Sequence, residues 1–381
     1  MSDIPKVLLL VETSREYGRA LLRGIAKYCR LHGPWAFYRE PGGLEKALPR
    51  LQSWGVTGII TRDSIRTDEA LALGVPVIVA VHFKGSYDIP SVDTNPVKIA
   101  NMAAEHLLDR GLRNFAFCGF DDMPWSETRK EHFTRRVAEA GFKTHSYKQP
   151  TSKSMRTWQK EQLRMANWLR SLPKPCGLMA CNDDRGQHAI EACKIVDLKV
   201  PDDVAVIGVD NDELICDLTE PPLTSVALDV EKSGYQAAKL LDKLMAGKTV
   251  ENQKITVEPT HVVSRQSTDI LAIDDVAVSE AVRFIRKNSN RPIQVGDVIG
   301  AVLVSRRSLE QRFRNIIGRS IFREIRRARV ERISNMLVET NLPIAQIALD
   351  LGFSGIDHIA RYFYAEMGTS PQAYRKSHRS F

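Results

Sequence analysis

The stretch Ile344-Ala345-Gln346-Ile347-Ala348-Leu349-Asp350-Leu351-Gly352-Phe353-Ser354 decides the fold of the C-terminal part of this chain. Ile344, Ile347, Ala348 and Leu351 recur at the spacing of one face of a short helix. Gly352 can take the left-handed backbone that a corner between two helices needs. Ser354 is expected to N-cap the next helix, with Asp357 three positions on as a box-like partner. Ile359 and Phe363, four apart, point back to the same core. A helix-turn-helix of this kind offers the start of its second helix to a DNA major groove. The candidates for that contact are Ser354, Gly355, Asp357, His358 and Arg361.

An earlier copy of the pattern lies upstream. Val295, Val298, Ile299 and Val302 give its first helix an apolar face, and Ser305 caps the second, Arg306–Arg314. Leu309 and Phe313 are the inward pair, which leaves Ser305, Arg306, Arg307, Ser308, Gln311 and Arg314 as DNA-facing candidates. The capping serines are 49 positions apart, and a long helical pattern from Ile321 to Val338 runs between them. Ile321, Ile325, Ala328, Ile333 and Leu337 fall near one of its faces. Two reading helices joined by one rigid helix can meet successive major-groove segments about 34 Å apart.

These residues resemble the AraC/XylS family of transcription factors over about residues 277–377. The resemblance is carried in order by Ser305-Arg306-Arg307-Ser308-Leu309, Phe313, Gly318, Arg329, Leu337, Ile347-Ala348, Gly352-Phe353-Ser354, Phe363, Gly368, Ser370-Pro371 and Tyr374-Arg375. The chain departs from that pattern at three positions. Leu303 stands where the first motif usually turns on a glycine, which predicts strain there. Ile333 replaces a small alanine of the linker helix, and Ile359 a usual phenylalanine.

Charge follows the same division. The chain has 54 Lys+Arg against 46 Asp+Glu, a net +8. Residues 275–381 hold 18 basic and 10 acidic side chains, so the whole excess lies on the segment with the two motifs. Placed on capped helix pairs, that excess reads as a phosphate-facing surface. The 381 residues allow two or three domains, and 43% hydrophobic content supports real cores. No apolar run reaches membrane-spanning length, and the N-terminus leads directly into a strand without the marks of a signal peptide. The six cysteines form no CxxC pair, and no Cys/His cluster has zinc spacing. They read as reduced thiols, and the expectation is a cytoplasmic protein without metal or cofactor.

The first 270 residues alternate apolar strands with helices. Strands are expected at Lys6–Val11, Val56–Thr61, Val75–Val81, Phe115–Gly119, Gly177–Ala180 and Val204–Val209. Helices are expected at Tyr17–Cys29 and near 44–53, 96–109, 127–140, 156–171 and 185–196. Such alternation means parallel sheet with crossover helices, and ligands then bind outside the carboxyl ends of the strands. Those ends are polar: Glu12-Thr13-Ser14-Arg15, Arg62-Asp63, Asp121-Asp122 with Trp125 and Arg129, Asn182-Asp183-Asp184, and Asp210-Asn211. Carboxylates, amides, an arginine and an aromatic suit a neutral polyhydroxylated ligand. The candidates are Ser14, Tyr17, Asp63, Trp125, Arg129, Asn182, Asp183 and Asp210. Singly, strand-end Asp and Asn are as well explained as turn or cap residues. Recurrence at five strand ends favours a shared site.

This half is similar to the ligand-binding core of the LacI/GalR and periplasmic sugar-binding family over about residues 5–265. The matching residues include Tyr17-Gly18-Arg19, Gly24-Ile25, Asn182-Asp183, Val206-Ile207-Gly208-Val209-Asp210-Asn211, Pro221–Val226, Gly234 and Ala237-Ala238. The resemblance implies two lobes closing over a sugar, contacts from Arg129, Asp183 and Asp210, and hinge crossings near 93–112, 210–228 and 255–264. Repressors of that family carry DNA-binding at the N-terminus; here the first strand begins near residue 6.

The combination resembles bacterial regulators of pentose operons. It implies an α/β, two-lobed periplasmic-binding-protein-like sensor (1–265), a linker (266–276) and an all-α double helix-turn-helix domain (277–381). The implied function is transcription activation through operator DNA in response to a sugar such as D-xylose. Implied partners are a second copy of the chain, as a homodimer, and RNA polymerase, with no membrane. The alternative is a sugar-processing α/β enzyme fused to a DNA-binding module. Against it, the chain has no GxxxxGK[ST] loop, no GxGxxG after the first strand and no GxSxG.

Overall fold

The computed structural model describes residues 4–39, 54–62, 67–80, 89–251, 253–273 and 275–378. Two six-stranded sheets form two lobes. The first holds β1 (Lys6–Leu10), β2 (Ala36–Arg39), β3 (Gly58–Arg62), β4 (Val77–Ala80) and β5 (Ser91–Thr94), joined late in the chain by β11 (Lys254–Val257). Its order is β11-β5-β4-β3-β1-β2, parallel throughout. The second holds β6 (Asn114–Cys118), β7 (Thr144–Ser146), β8 (Cys176–Ala180), β9 (Val204–Asp210), β10 (Thr224–Leu228) and β12 (Pro259–Val263). Its order is β12-β10-β9-β8-β6-β7, parallel except for β12 against β10.

Helices cover both faces of each sheet, which is why the inner strands are continuous apolar runs. On the first sheet, α1 (Glu16–His32) is the partner of α8 (Val230–Met245). Their backbones nearly touch: a Cβ on Gly24 would lie 1.9 Å from the Glu231 carbonyl oxygen, and one on Gly234 2.2 Å from that of Leu21. Only glycine permits that approach. The short α2 (Thr67–Leu71) packs Ala70 on the opposite face. On the second sheet, α3 (Pro96–Leu108) and α4 (Pro124–Glu139) cover one face. The other face is covered by α5 (Trp158–Ser171) and α6 (Asp183–Ile195). The short α7 (Glu213–Leu218) follows β9.

The helix starts show where local signals act. α4 begins three residues earlier than expected because Pro124 can open a helix without a free N–H. α6 begins at Asp183 because the Asn182 side chain accepts from the Arg185 N–H at 3.1 Å. The expected helix at 44–53 and residue Val81 lie outside the described residues. The short strands β5, β7 and β11 carry too few apolar residues to announce themselves, and β2, β10 and β12 are also absent from the expected strands.

The chain crosses between lobes at Asn95, Asp229 and Glu258. The first and third crossings fall within the expected spans, and the second one residue beyond. The three are tied together. Asn95 N–H donates to the Val257 carbonyl and Asp229 N–H to that of Glu258, each at 2.9 Å. Asn95 Nδ2 reaches the Glu258 carboxylate at 3.1 Å.

The C-terminal part is helical: α9 (Val276–Lys287), α10 (Val295–Gly300), α11 (Arg306–Ile317), α12 (Ile321–Glu339), α13 (Ile344–Asp350), α14 (Ile356–Met367) and α15 (Pro371–His378). It has two small cores. Leu309 and Phe313 of α11 join Ile321, Ile325 and Ala328 in the first. Ile347, Ala348, Ile359 and Phe363 join Val330, Ile333, Met336 and Leu337 in the second. Thus α12 serves one core with each half, and Ile333 fills its place fully buried. Gly318 and Gly368 end α11 and α14 with φ 75° and 65°. The corner at Gly352 has φ 68°.

Two local expectations are corrected. The N-cap of α14 is Gly355, not Ser354, whose hydroxyl instead meets His358 Nδ1. The expected strain at Leu303 is absent. Among the described residues, the non-glycine positions with positive φ are Asp122, Asp197, Asp210 and Asn211. Leu303 takes its corner without left-handed backbone and leaves its side chain wholly exposed. Among the described residues no helix is long and apolar enough to cross a membrane.

Candidate ligand cleft and DNA-facing helices

The carboxyl ends of β1, β3 and β5 face those of β6, β8 and β9 across a cavity of about 300 Å³. Glu12, Arg15, Tyr17, Arg62, Asp93 and Thr94 line it from the first lobe, and Trp125, Thr128, Arg129, Asn182 and Asp210 from the second. Three buried polar atoms on this wall lack a hydrogen-bond partner: Tyr17 Oη, Arg129 Nε and Asp210 Oδ1. Arg129 is 3% exposed. Its Nη1 donates to the Cys181 carbonyl, and its guanidinium stands 5.2 Å from the Trp125 ring centroid. Its Nη2 stays 3.9 Å from Asp210 Oδ1, beyond hydrogen-bonding range. A desolvated polar atom without a partner costs about 1–3 kcal/mol. All three belong to residues that line the cavity.

The electrostatics agree. Asp210 sits at φ 103°, a conformation an L-residue rarely holds. Burial pushes its carboxyl up to about 6, against the pull of Arg129. Burial raises the Tyr17 hydroxyl well above its ordinary value, and the Asp210 and Asp93 charges add to this. At the mouth, burial works upward on Glu12, but the Ser14 hydroxyl with Arg15 and Arg62 outweighs it and holds the carboxyl low. The charged lining residues are three arginines and three carboxylates, so the described wall is balanced.

Of the candidates read from the sequence, Tyr17 from the first lobe and Trp125, Arg129, Asn182 and Asp210 from the second come together around this cavity. Asp183 does not. As the first residue of α6 it points behind the wall, where its carboxylate accepts from Ser225 Oγ at 2.6 Å and Asp212 N–H at 2.7 Å. The residue that reaches the cavity is its neighbour Asn182. Ser14 also stays out: it is exposed, and its hydroxyl donates to Glu12. Asp63 lies outside the described residues. Sequence reasoning did not single out Glu12, Arg15, Arg62, Asp93 or Thr94. The first three sat in polar strand ends already noted, whereas Asp93 and Thr94 belong to β5, whose polar sequence hides it.

The lobes are bridged across the cleft. Arg19 Nη2 meets both oxygens of the Asp212 carboxylate at 2.8 Å, and Glu16 N–H donates to the same group at 2.8 Å. Arg15 Nε pairs with Asp184 at 2.6 Å. These contacts join the rims of the two lobes.

On the C-terminal half, Ser305 caps α11 by accepting from Ser308 N–H at 3.4 Å. Arg306, Arg307, Gln311 and Arg314 form one outward face, with Glu310 and Asn315 beside them. Arg306 pairs with Glu310 at 2.9 Å, while Ser308 is partly covered. Asn315 was missed, although its spacing from Gln311 is one helical turn. On α14, Asp357, His358 and Arg361 are exposed, Gly355 is the cap, and Arg361 Nε donates to the Asp357 carbonyl at 3.3 Å. Other arginines of this half work inside it. Arg329 stacks 4.2 Å from the Phe353 ring and donates to the Leu351 carbonyl at 2.6 Å, bracing the corner before α14. Arg375 donates to the Leu337 carbonyl in the last turn of α12 at 3.0 Å and to the Leu342 carbonyl just beyond it at 2.7 Å.

Comparison with known proteins matches residues 104–268 to the periplasmic binding protein-like domain and residues 300–377 to a helix-turn-helix domain. The xylose operon regulatory protein of Escherichia coli (strain K12) is 30% identical over 380 residues, covering 97% of this chain and 96% of that protein. Its namesake in Haemophilus influenzae is 31% identical over 382 residues, covering 97% and 98%. A solved structure of the xylose-binding transcription activator XylR superposes with a TM-score of 0.61 at 29% identity, covering 100% of both chains.

Proposed function

Because this chain belongs to the family of xylose operon regulatory proteins, DNA-binding transcription regulators and not enzymes, we propose that its cleft is the receptor for a pentose, D-xylose. The observation that carries this reading is that Tyr17, Arg129 and Asp210 all line one cavity while Tyr17 Oη, Arg129 Nε and Asp210 Oδ1 are buried and unpartnered. A neutral polyol supplies both donors and acceptors, so it can satisfy all three at once. The balanced charge of the described wall favours it over a sugar acid or phosphate. Tyr17, Trp125, Arg129, Asn182 and Asp210 are the proposed contacts, with Glu12, Arg15, Arg62 and Asp93 at the mouth and opposite wall. Asp183 supports the wall from behind.

The C-terminal half would read operator DNA through Ser305, Arg306, Arg307, Ser308, Gln311, Arg314 and Asn315 on the first motif. Ser354, Gly355, Asp357, His358 and Arg361 serve on the second. The division proposed is a sensor over 1–265, a linker over 266–276 and a DNA-binding domain over 277–381. A cytoplasmic homodimer that binds an operator and recruits RNA polymerase as an activator completes the proposal.

The test is a calorimetric titration of the full chain with D-xylose, D-ribose, D-lyxose and L-arabinose, with the sugar recovered and identified afterwards. The expected result is saturable binding with D-xylose preferred and returned unchanged. Absence of binding by any aldose overturns the reading.

A further inference from the structure

One helix touches both the sugar cleft and the DNA-binding half. α3 begins at the hinge: its N-cap Asn95 is a lobe crossing, and Asp93, Thr94 and Pro96 line the cavity. Thirteen residues of helix, about 20 Å, carry it to its C-cap, Asp109. Asp109 is out of place there for the helix's own sake, because the C-terminal end of a helix dipole repels negative charge. It is answered by three arginines of the C-terminal half. Arg319 Nη2 donates to Oδ1 at 2.9 Å and Arg327 Nη1 to Oδ2 at 2.6 Å. Arg286 Nη2 donates to the Asp109 carbonyl at 3.0 Å. Arg319 and Arg327 also share Glu324, whose side chain is 1% exposed. Arg327 and Glu324 lie on α12, the helix that serves both small cores and so fixes one recognition helix relative to the other.

The neighbouring residues close the junction. Arg110 Nε donates to the Thr268 carbonyl at 2.5 Å, and its own carbonyl accepts from Ala272 N–H at 2.9 Å. His106 Nε2 meets Thr268 Oγ1 at 2.9 Å, and Thr268 Oγ1 meets Thr224 Oγ1 of β10 at 2.8 Å. The rest of α3 belongs to the second lobe, with Ile99, Ala103 and Leu107 buried against Phe115 and Ile207.

We infer that the Asp109–Arg286–Arg319–Arg327 cluster clamps the DNA-binding half to the second lobe. Closing the cleft then swings both recognition helices, together with that lobe, against the first lobe. The clamp stands on its own geometry; its use in sugar response rests on the D-xylose reading above.

The test uses the full chain carrying Asp109→Ala, or Asp109→Asn should the alanine variant fail to fold. Small-angle scattering should show a larger radius of gyration than wild type, and limited proteolysis should cut residues 265–276 faster. D-xylose affinity should stay within about twofold, since Asp109 lies away from the cavity. The D-xylose effect on operator affinity, within the roughly 5–150-fold usual for coupled sites, should fall to about one. Arg327→Ala should act alike, and the double variant should add little if both serve one clamp. Unchanged scattering and proteolysis in Asp109→Ala overturn the clamp. If wild type binds no D-xylose, the sugar reading fails, while scattering and proteolysis still decide the clamp.

Discussion

In the cleft, Arg129 is 3% exposed, its Nε has no partner, and it stands beside a carboxylate it does not quite reach. On α11, Arg307 and Arg314 stand in the open, in a groove with Gln311 and Asn315. The same residue type is used in opposite ways. The sensor half keeps its functional groups desolvated inside a large scaffold, so ligand recognition costs folding energy. The DNA half keeps them solvated on the outside of two small cores, so recognition there is nearly free of folding cost. The comparison makes separable predictions: stability and binding should be opposed in the cleft and independent on the recognition helices.

The largest effect should come from the core of the DNA half. Phe363 is fully buried, edge-on to Tyr374 at 5.2 Å between centroids, in a cluster served by only half of α12. Phe363→Ala should cost about 3–5 kcal/mol. In differential scanning calorimetry the transition of the second helix-turn-helix should drop or vanish while that of the two lobes holds. A shift of both transitions together would show that the halves melt as one unit, and would break the contrast.

The cleft should respond with two opposite signs. Asp210→Asn should weaken sugar binding by about 1.5–3 kcal/mol, more than tenfold, in a calorimetric titration. The same change should stabilise the empty protein at neutral pH. The folded carboxyl titrates at about 6, above the ordinary 3.8, so the folded chain holds the proton more tightly. That contribution is fully present below pH 3.8 and is lost as pH rises through about 6, leaving a buried, partly orphaned charge. A neutral amide escapes the loss, with a gain of up to about 3 kcal/mol above pH 6. Denaturant melts at pH 4.5 and 7.5 check this: the variant should gain roughly three times as much at the higher pH, where the whole loss has occurred, as at the lower, where it has only begun. An equal effect at both would mean that Asp210 is a turn residue without a binding role.

The smallest effect on folding should come from the recognition helix. Arg307→Ala should cost about 1–3 kcal/mol of operator discrimination if it reads a guanine. An exposed change should leave stability within about 0.5 kcal/mol. Operator affinity unchanged in a gel-shift titration would remove Arg307 from the reading face.

Some features were legible because they are written locally. Ser305, Gly318, Gly352 and Gly368 mark helix starts and stops by their own chemistry, and both motifs appear where that chemistry puts them. Even there the register was off by one at Ser354, since a cap depends on which residue leaves the helical backbone. The sequence named both Asn182 and Asp183 but could not tell them apart: Asn182 is the extended N-cap and reaches the cavity lining, while Asp183, the first helical residue, faces Ser225 and Asp212.

By itself the sequence determined two architectures, their order along the chain, the side that carries the charge, and five of the residues on the cleft wall. Hydrophobic period, capping and charge are properties of neighbours in the chain. Only the tertiary structure decided which wall residues face each other. Asp93 stands across from Arg129 because the sheet orders bring the ends of β5 and β6 to one cleft. Nor could any local pattern give Asp109 its partners, which lie 177, 210 and 218 residues further along. A carboxylate at a helix end reads as a surface charge until the fold brings three arginines to it.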